Sequence, residues 1–149
     1  MLPALSVLID LQVLDSAIDA ARRRLAEIPV AEKAATDTVA GATAQLAAAK
    51  QTLSDATASR KLVEKDIAAV DTRLARFEEH KAAVKTNEQF HALQHEMAVG
   101  QEEKAALEER VIEMLVAADQ LTADVKAAED RLAEANAALA SLRAAHAAE

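Results

Sequence analysis

The sequence predicts an all-α protein folded as a long antiparallel two-helix coiled-coil hairpin, with a kink near Pro29 and a turn at residues 79–86. Two unbroken heptad repeats and a helix-forming composition carry this prediction. Apolar residues that recur every seven positions form a seam that must face another helix. A period of about 3.5 rather than about 3.6 residues predicts a left-handed supercoil.

The first heptad repeat defines the first helix. One seam position is occupied by Leu11, Ile18, Leu25, Glu32, Val39, Leu46, Leu53, Arg60, Ile67 and Leu74. The other is occupied by Leu14, Ala21, Ile28, Ala35, Ala42, Ala49, Ala56, Val63, Val70 and Phe77. Pro29 cannot donate a backbone hydrogen bond, yet the repeat continues through it, which predicts a kink rather than the end of the helix.

The second heptad repeat differs in phase from the first. One position is occupied by Phe90, Met97, Lys104, Val111, Ala118, Val125, Leu132 and Leu139. The other is occupied by Leu93, Gly100, Leu107, Met114, Leu121, Ala128, Ala135 and Leu142. Thr86, followed three residues later by Gln89, fits a capping box, and Asn87 is an alternative N-cap, so a helix is predicted to begin near residue 87.

A turn centred near residues 83–84 fixes the predicted register of the two helices. It places Phe77 opposite Phe90 and Leu74 opposite Leu93. Residue 18 then pairs with residue 149, which leaves residues 1–17 without a partner. We divide the chain into an N-terminal apolar helix, residues 1–28, and the antiparallel hairpin, residues 29–149.

The composition is that of long helices. The 149 residues include 2 Gly, 2 Pro, 2 Phe and no Trp, Tyr or Cys, whereas a globular core of this size normally uses aromatic side chains as large packing units. The absence of Cys excludes a disulfide framework and a thiolate metal site. No apolar stretch approaches the roughly 18 residues of a membrane span, and the N-terminus lacks the basic residues of a signal peptide. We therefore expect a cytoplasmic protein without a membrane span.

The net charge of −8 is unevenly distributed. Residues 96–149 carry 5 Lys/Arg and 12 Asp/Glu, whereas residues 73–95 carry 4 and 3, with three of the four histidines. An acidic second helix repels phosphate backbones, so nucleic acid is not an expected partner along the helices.

No motif in the sequence predicts catalysis. A Gly-rich phosphate loop and a Ser/His/Asp signature are both missing, and a two-helix hairpin offers no desolvated cleft for acid–base chemistry. His91 and His95 have the spacing of metal ligands, with His80 on the other side of the turn. No carboxylate completes a His-Glu-x-x-His arrangement, so we interpret them as solvent-facing histidines. We expect no enzyme activity, no cofactor and no metal.

Two surfaces are candidate partner-binding sites. The first is the basic hairpin tip, with Arg73, Arg76, Lys81, Lys85 and Asn87. The second is an N-terminal apolar stripe, with Leu5, Leu8, Ile9 and Leu11. An exposed apolar stripe requires a cover, which could be a second copy of the chain, other polypeptide or a membrane surface. The membrane is the weakest candidate because Asp10, Asp15 and Asp19 oppose anionic lipid.

Three stretches resemble a known family. They are Leu11–Ile18 followed by Glu27-Ile28-Pro29, the segment Lys85–Met97, and Leu107–Met114. In the same order they resemble bacterial proteins in which a coiled-coil hairpin precedes a four-cysteine zinc ribbon, and Lys85-Thr86-Asn87-Glu88-Gln89 is similar to the lysine-x-asparagine motif after their turn. This chain has no cysteine and hence no ribbon, so we expect a ribbon-less or truncated relative.

The resemblance implies an adaptor or chaperone-like regulator, tied to flagellar or secretion systems or to an alternative sigma factor. The expected partner is another protein. Two alternatives remain open: a structural spacer that homodimerises through residues 2–28, and an RNA-binding adaptor that uses the basic tip.

Overall fold

The computed structural model describes residues 2–148, so Met1 of the predicted N-terminal helix and Glu149 lie outside the described residues. Helix α1 spans Leu2–Lys81 and helix α2 spans Asn87–Ala147. No strand occurs within residues 2–148. The predicted all-α class is confirmed. Residues 82–86 connect the helices and lie within the predicted turn.

Helix α1 continues through Pro29 without a break. Helix formers such as Ala, Leu, Glu and Lys dominate both helices. Many threonines and Ser16 bond back to the carbonyl four residues earlier, as Thr36 does to Glu32 at 2.8 Å. These bonds satisfy the hydroxyls on the exposed helix faces without interrupting the helix.

Residues 47–127 form one compact unit, which contains the connection between the helices. Its least exposed positions in the two helices follow the predicted heptads. Those on the seam are Ala49, Leu53, Ala56, Arg60, Val63, Ile67, Val70, Leu74 and Phe77 in α1, and Phe90, Leu93, Met97, Gly100, Lys104, Leu107, Val111, Met114, Ala118, Leu121 and Val125 in α2. Thr57 and Ala127, each next to a seam position, are half-buried as well. Val63 and Val70 are buried. The seam predicted for this unit is therefore confirmed.

The register within this unit differs from the predicted one. Leu74 lies against Gly100, one heptad further along α2 than the predicted partner Leu93. Lys104 Nζ lies 2.7 Å from Asp71 Oδ1, which agrees with this displacement. A shift of seven residues returns every seam residue to a seam position, so the apolar pattern alone does not distinguish the two registers.

The non-helical connection explains the displacement. Its residues advance by up to about 3.3 Å each, compared with about 1.5 Å in a helix. The chain therefore moves past the end of α1 before α2 turns back. Val84 in the connection is half-buried, as is Phe90 in the first turns of α2. The sequence prediction centred the register on residues 83–84 and therefore placed Phe77 opposite Phe90.

The second compact unit comprises Met1–Leu46 and Ala128–Glu149. Ala42, Ala128 and Leu139 are its buried apolar residues. His146 Nδ1 lies 3.4 Å from Glu32 Oε1 and is the last half-buried position of α2. In α1, the seam of this unit is protected from Ile28 onward, whereas every residue from 3 to 27 is exposed. The exposed segment thus extends beyond the predicted unpartnered residues 1–17.

Candidate interaction surfaces

The connection at the end of the hairpin has a defined backbone conformation. The Ala83 amide donates to the His80 carbonyl at 2.9 Å, and the Phe90 amide donates to the Thr86 carbonyl at 3.0 Å. Thr86 Oγ1 accepts the Gln89 amide at 3.2 Å, so Thr86 is the N-cap of α2. This contact is one half of the predicted capping box, and it satisfies an amide that the first turn of a helix leaves unpaired.

The predicted tip residues fall into two groups. Arg73 forms an ion pair with Glu103 of α2, and Lys81 Nζ lies 3.5 Å from Glu78 Oε1 within α1. Arg76, Lys85 and Asn87 are exposed. Arg73 therefore links α1 to α2 through this ion pair. The tip proper is defined here as Arg76, Lys81, Lys85 and Asn87.

Arg76 and Lys85 carry the accessible positive charge of the tip. Within residues 2–148, neither side chain forms an ion pair. Lys85 lies in the capped, hydrogen-bonded connection, and Arg76 lies in the penultimate turn of α1, so the backbone of both residues has a defined conformation. A rigid scaffold that displays charge on a connection is a common arrangement for recognition.

The second candidate surface is the arm, defined here as residues 3–27 of α1. The predicted stripe residues all lie on it, and Leu8 is 67% exposed. Further large apolar side chains of the arm are exposed as well: Val7, Val13, Leu14, Ile18 and Leu25. An apolar surface of this extent is unusual on a monomer. The predicted register extended α2 along α1 by a further heptad, so it would have covered Leu25.

Arg60 and Lys104, the basic residues on the seam, each lie next to exposed acidic side chains outside the seam. Asp71 accepts a hydrogen bond from Lys104, and this bond raises the pKa of Lys104 above its ordinary value. Arg60 Nε lies 3.5 Å from Glu64 Oε1 within α1. The stems of Arg60 and Lys104 lie in the seam, so both residues are half-buried.

The histidines with metal-ligand spacing are separate and solvent-facing. His80, His91 and His95 are all exposed. Across residues 2–148, no three His, Asp or Glu side chains come together closely enough to hold a metal ion. No helix in that range is both long and apolar enough to cross a membrane.

Comparison with known proteins identifies the hairpin. The family model of the CT398-like coiled coil hairpin domain matches residues 11–149. Neither a curated protein nor a solved structure matches this chain. A coiled-coil hairpin domain is a structural or interaction module, which agrees with the two exposed surfaces. Because the match extends over nearly the whole sequence, the chain belongs to the family of CT398-like coiled coil hairpin domains.

Proposed function

We propose that this chain is a non-enzymatic adaptor that presents the hairpin tip to another protein. The proposal rests on the exposure of Arg76 and Lys85 near the end of the hairpin, where the Thr86 cap defines the backbone at the start of α2. Two exposed cationic groups at the same end of the hairpin favour a partner with an acidic surface. Asn87, the first residue of α2, adds an exposed neutral hydrogen-bonding side chain.

The rest of the hairpin supports a role without catalysis. Within residues 2–148, no polar or charged residue is buried. Acid–base and nucleophilic catalysis usually depend on side chains whose pKa values are shifted by desolvation and neighbouring charges. The raised pKa of Lys104 arises from its hydrogen bond to the exposed Asp71 and keeps the amine protonated, which is opposite to the need of a catalytic base.

The resemblance to coiled-coil proteins with a zinc ribbon suggests the class of partner. Those proteins are tied to flagellar or secretion systems and to an alternative sigma factor. We propose a regulatory protein of that class as the partner, which the basic tip binds through acidic side chains. The acidic α2 makes RNA a less favourable ligand, since residues 96–149 carry 12 Asp/Glu against 5 Lys/Arg.

Capture of proteins from an extract of the source cells tests this function. We expect Lys85→Glu and Asn87→Ala to lose a bound protein that the unmodified chain retains. Lys61→Glu is the matched control because Lys61 is an exposed lysine of α1 away from the tip. Circular dichroism must show unchanged helicity for all three variants. Retention of the same proteins by Lys85→Glu and by Lys61→Glu would contradict the proposal.

A structural spacer is the second candidate function, and the exposed arm favours it. A spacer depends on the arm and not on the tip. It predicts that Leu8→Asp or Leu11→Asp disrupts assembly, whereas Lys85→Glu has no effect. RNA binding through the tip would instead appear as retained RNA whose affinity falls steeply with salt concentration.

A further inference from the structure

Every residue of the arm is exposed, although the arm continues the heptad frame of α1. Protection of the α1 seam begins at Ile28, close to the last half-buried residue of α2, His146. A groove of about 470 Å³ opens at this point, and Ala21, Leu25, Ile28 and His146 are among its lining residues. The intramolecular seam thus leads directly into an open apolar groove on the arm.

The apolar positions of the arm are complementary to themselves when reversed. Seam positions in this segment are Val7, Leu11, Leu14, Ile18, Ala21 and Leu25. Turning a second helix end for end about residue 16 places Leu14 opposite Ile18, Leu11 opposite Ala21 and Val7 opposite Leu25. All seam residues of both helices are then covered. The last layer, at Leu25, is the one that directly precedes the part of the seam protected by α2.

We propose that the arms of two copies pair as antiparallel helices, with Leu14 of each copy against Ile18 of the other. The second copy thereby fills the groove with its Val7 and Leu11 side chains. This pairing is independent of the tip and does not rest on the adaptor function. It specifies the occupant, orientation and register of the arm assembly that the structural spacer would require.

The charges of the arm favour a second copy in the antiparallel orientation. Acidic residues occupy its first part, at Asp10, Asp15 and Asp19, and the run Arg22–Arg24 follows. Antiparallel pairing brings Asp10 of each copy next to the arginine run of the other. Parallel pairing would instead place the arginine run of one copy next to the same arginine run of the other copy, where like charges repel.

One contact opposes the pairing and provides a test of its register. Asp15 lies one residue from the two-fold axis at residue 16, so the Asp15 carboxylates of the two copies face each other. We expect Asp15→Asn to tighten the dimer because it removes this repulsion. An unchanged or weaker dimer would show that the register is wrong.

Light scattering across concentration tests the pairing itself. We expect the 15.8 kDa chain to form a dimer as its concentration rises. Leu14→Asp should raise the dissociation constant by about tenfold or more, because the dimer would bury an unpaired carboxylate. Leu62→Asp is the matched control, since Leu62 is 60% exposed and Leu14 is 61% exposed. A monomer at every concentration, or equal weakening by both variants, would overturn the proposal.

Cysteine cross-linking tests the orientation, and the absence of native cysteine makes each introduced thiol unique. Mild oxidation of a mixture of Leu14→Cys and Ile18→Cys chains should give a mixed disulfide. Leu14→Cys alone should cross-link poorly. Efficient cross-linking of Leu14→Cys to itself would show a parallel dimer and overturn the antiparallel proposal.

Discussion

Leu74 and Gly100 are in close contact across the two helices: a methyl group added at Gly100 would lie 2.7 Å from Leu74 Cδ2. Gly41, in contrast, has no side chain within 4 Å of such a group. Both glycines lie inside helices, where glycine is less favourable than alanine by about 1 kcal/mol. The same substitution should therefore have different effects at the two positions.

We expect Gly41→Ala to raise the free energy of unfolding by about 0.5–1 kcal/mol. Gly100→Ala should gain less than this or lose stability, because Leu74 Cδ2 must move away from the new methyl group. Urea denaturation of both variants measures the difference. Equal gains at the two positions would show that Leu74 does not approach Gly100.

The buried seam can be tested at Val70, which is 3% exposed. Val70→Ala should lower the free energy of unfolding by about 2 kcal/mol, since it removes buried methyl groups and leaves a small cavity. Val116→Ala is the control because Val116 is 66% exposed. That variant should stay within about 0.5 kcal/mol of the unmodified chain. Similar losses at both sites would contradict the assigned seam.

The N-cap of α2 predicts a specific effect at the tip. Thr86→Ala removes the oxygen that accepts the Gln89 amide and should cost about 1 kcal/mol of stability. Thr86→Ser keeps this oxygen and should preserve most of the stability. Thermal unfolding followed by circular dichroism compares the two variants. Equal melting temperatures for the Thr86→Ala and Thr86→Ser variants would show that the cap does not stabilise the start of α2.

The Lys104–Asp71 contact predicts a dependence of stability on alkaline pH. The hydrogen bond from Lys104 to Asp71 raises the pKa of Lys104 above its ordinary value of 10.5. The folded chain therefore holds this proton more tightly than the unfolded chain. The resulting stabilisation is complete below pH 10.5 and is lost as the pH rises through the higher folded-state pKa.

We expect the Lys104→Met variant to lack the part of the stability that the unmodified chain loses at alkaline pH. The melting temperature of this variant should therefore approach that of the unmodified chain above pH 10.5. Lys61→Met is the control, because Lys61 is an exposed lysine of α1 that forms no ion pair within residues 2–148. Melting temperatures measured from neutral to alkaline pH separate the variants. A constant difference between Lys104→Met and the unmodified chain across this range would contradict the assignment.

The heptad pattern was sufficient to predict which residues face the partner helix. Val63 and Val70 are buried and Phe77 is half-buried, because a seam residue faces the partner helix in every register that differs by whole heptads. Thr86 and Gln89 marked the start of α2 through a local capping interaction, which needs no knowledge of the rest of the chain.

The partner of each seam residue was not predictable in the same way. Leu74 meets an apolar position in either register, and the choice between Leu93 and Gly100 depends on the path of residues 82–86. The ion pair between Arg73 and Glu103 also depends on that register. Sequence reasoning therefore counted Arg73 among the tip residues, whereas its charge is paired with α2. The binding roles of the tip and the stripe stay predictions.

The pairing of Leu74 with Gly100 is tested most directly by a disulfide. A chain that carries Leu74→Cys and Gly100→Cys should form an intramolecular disulfide under mild oxidation, because the two positions face each other across the seam. A chain that carries Leu74→Cys and Leu93→Cys should remain reduced, although both residues belong to the same heptad seam. Peptide mass spectrometry distinguishes the two products. Efficient closure of the Leu74–Leu93 pair, with none for Leu74–Gly100, would contradict the register on which the hairpin description rests.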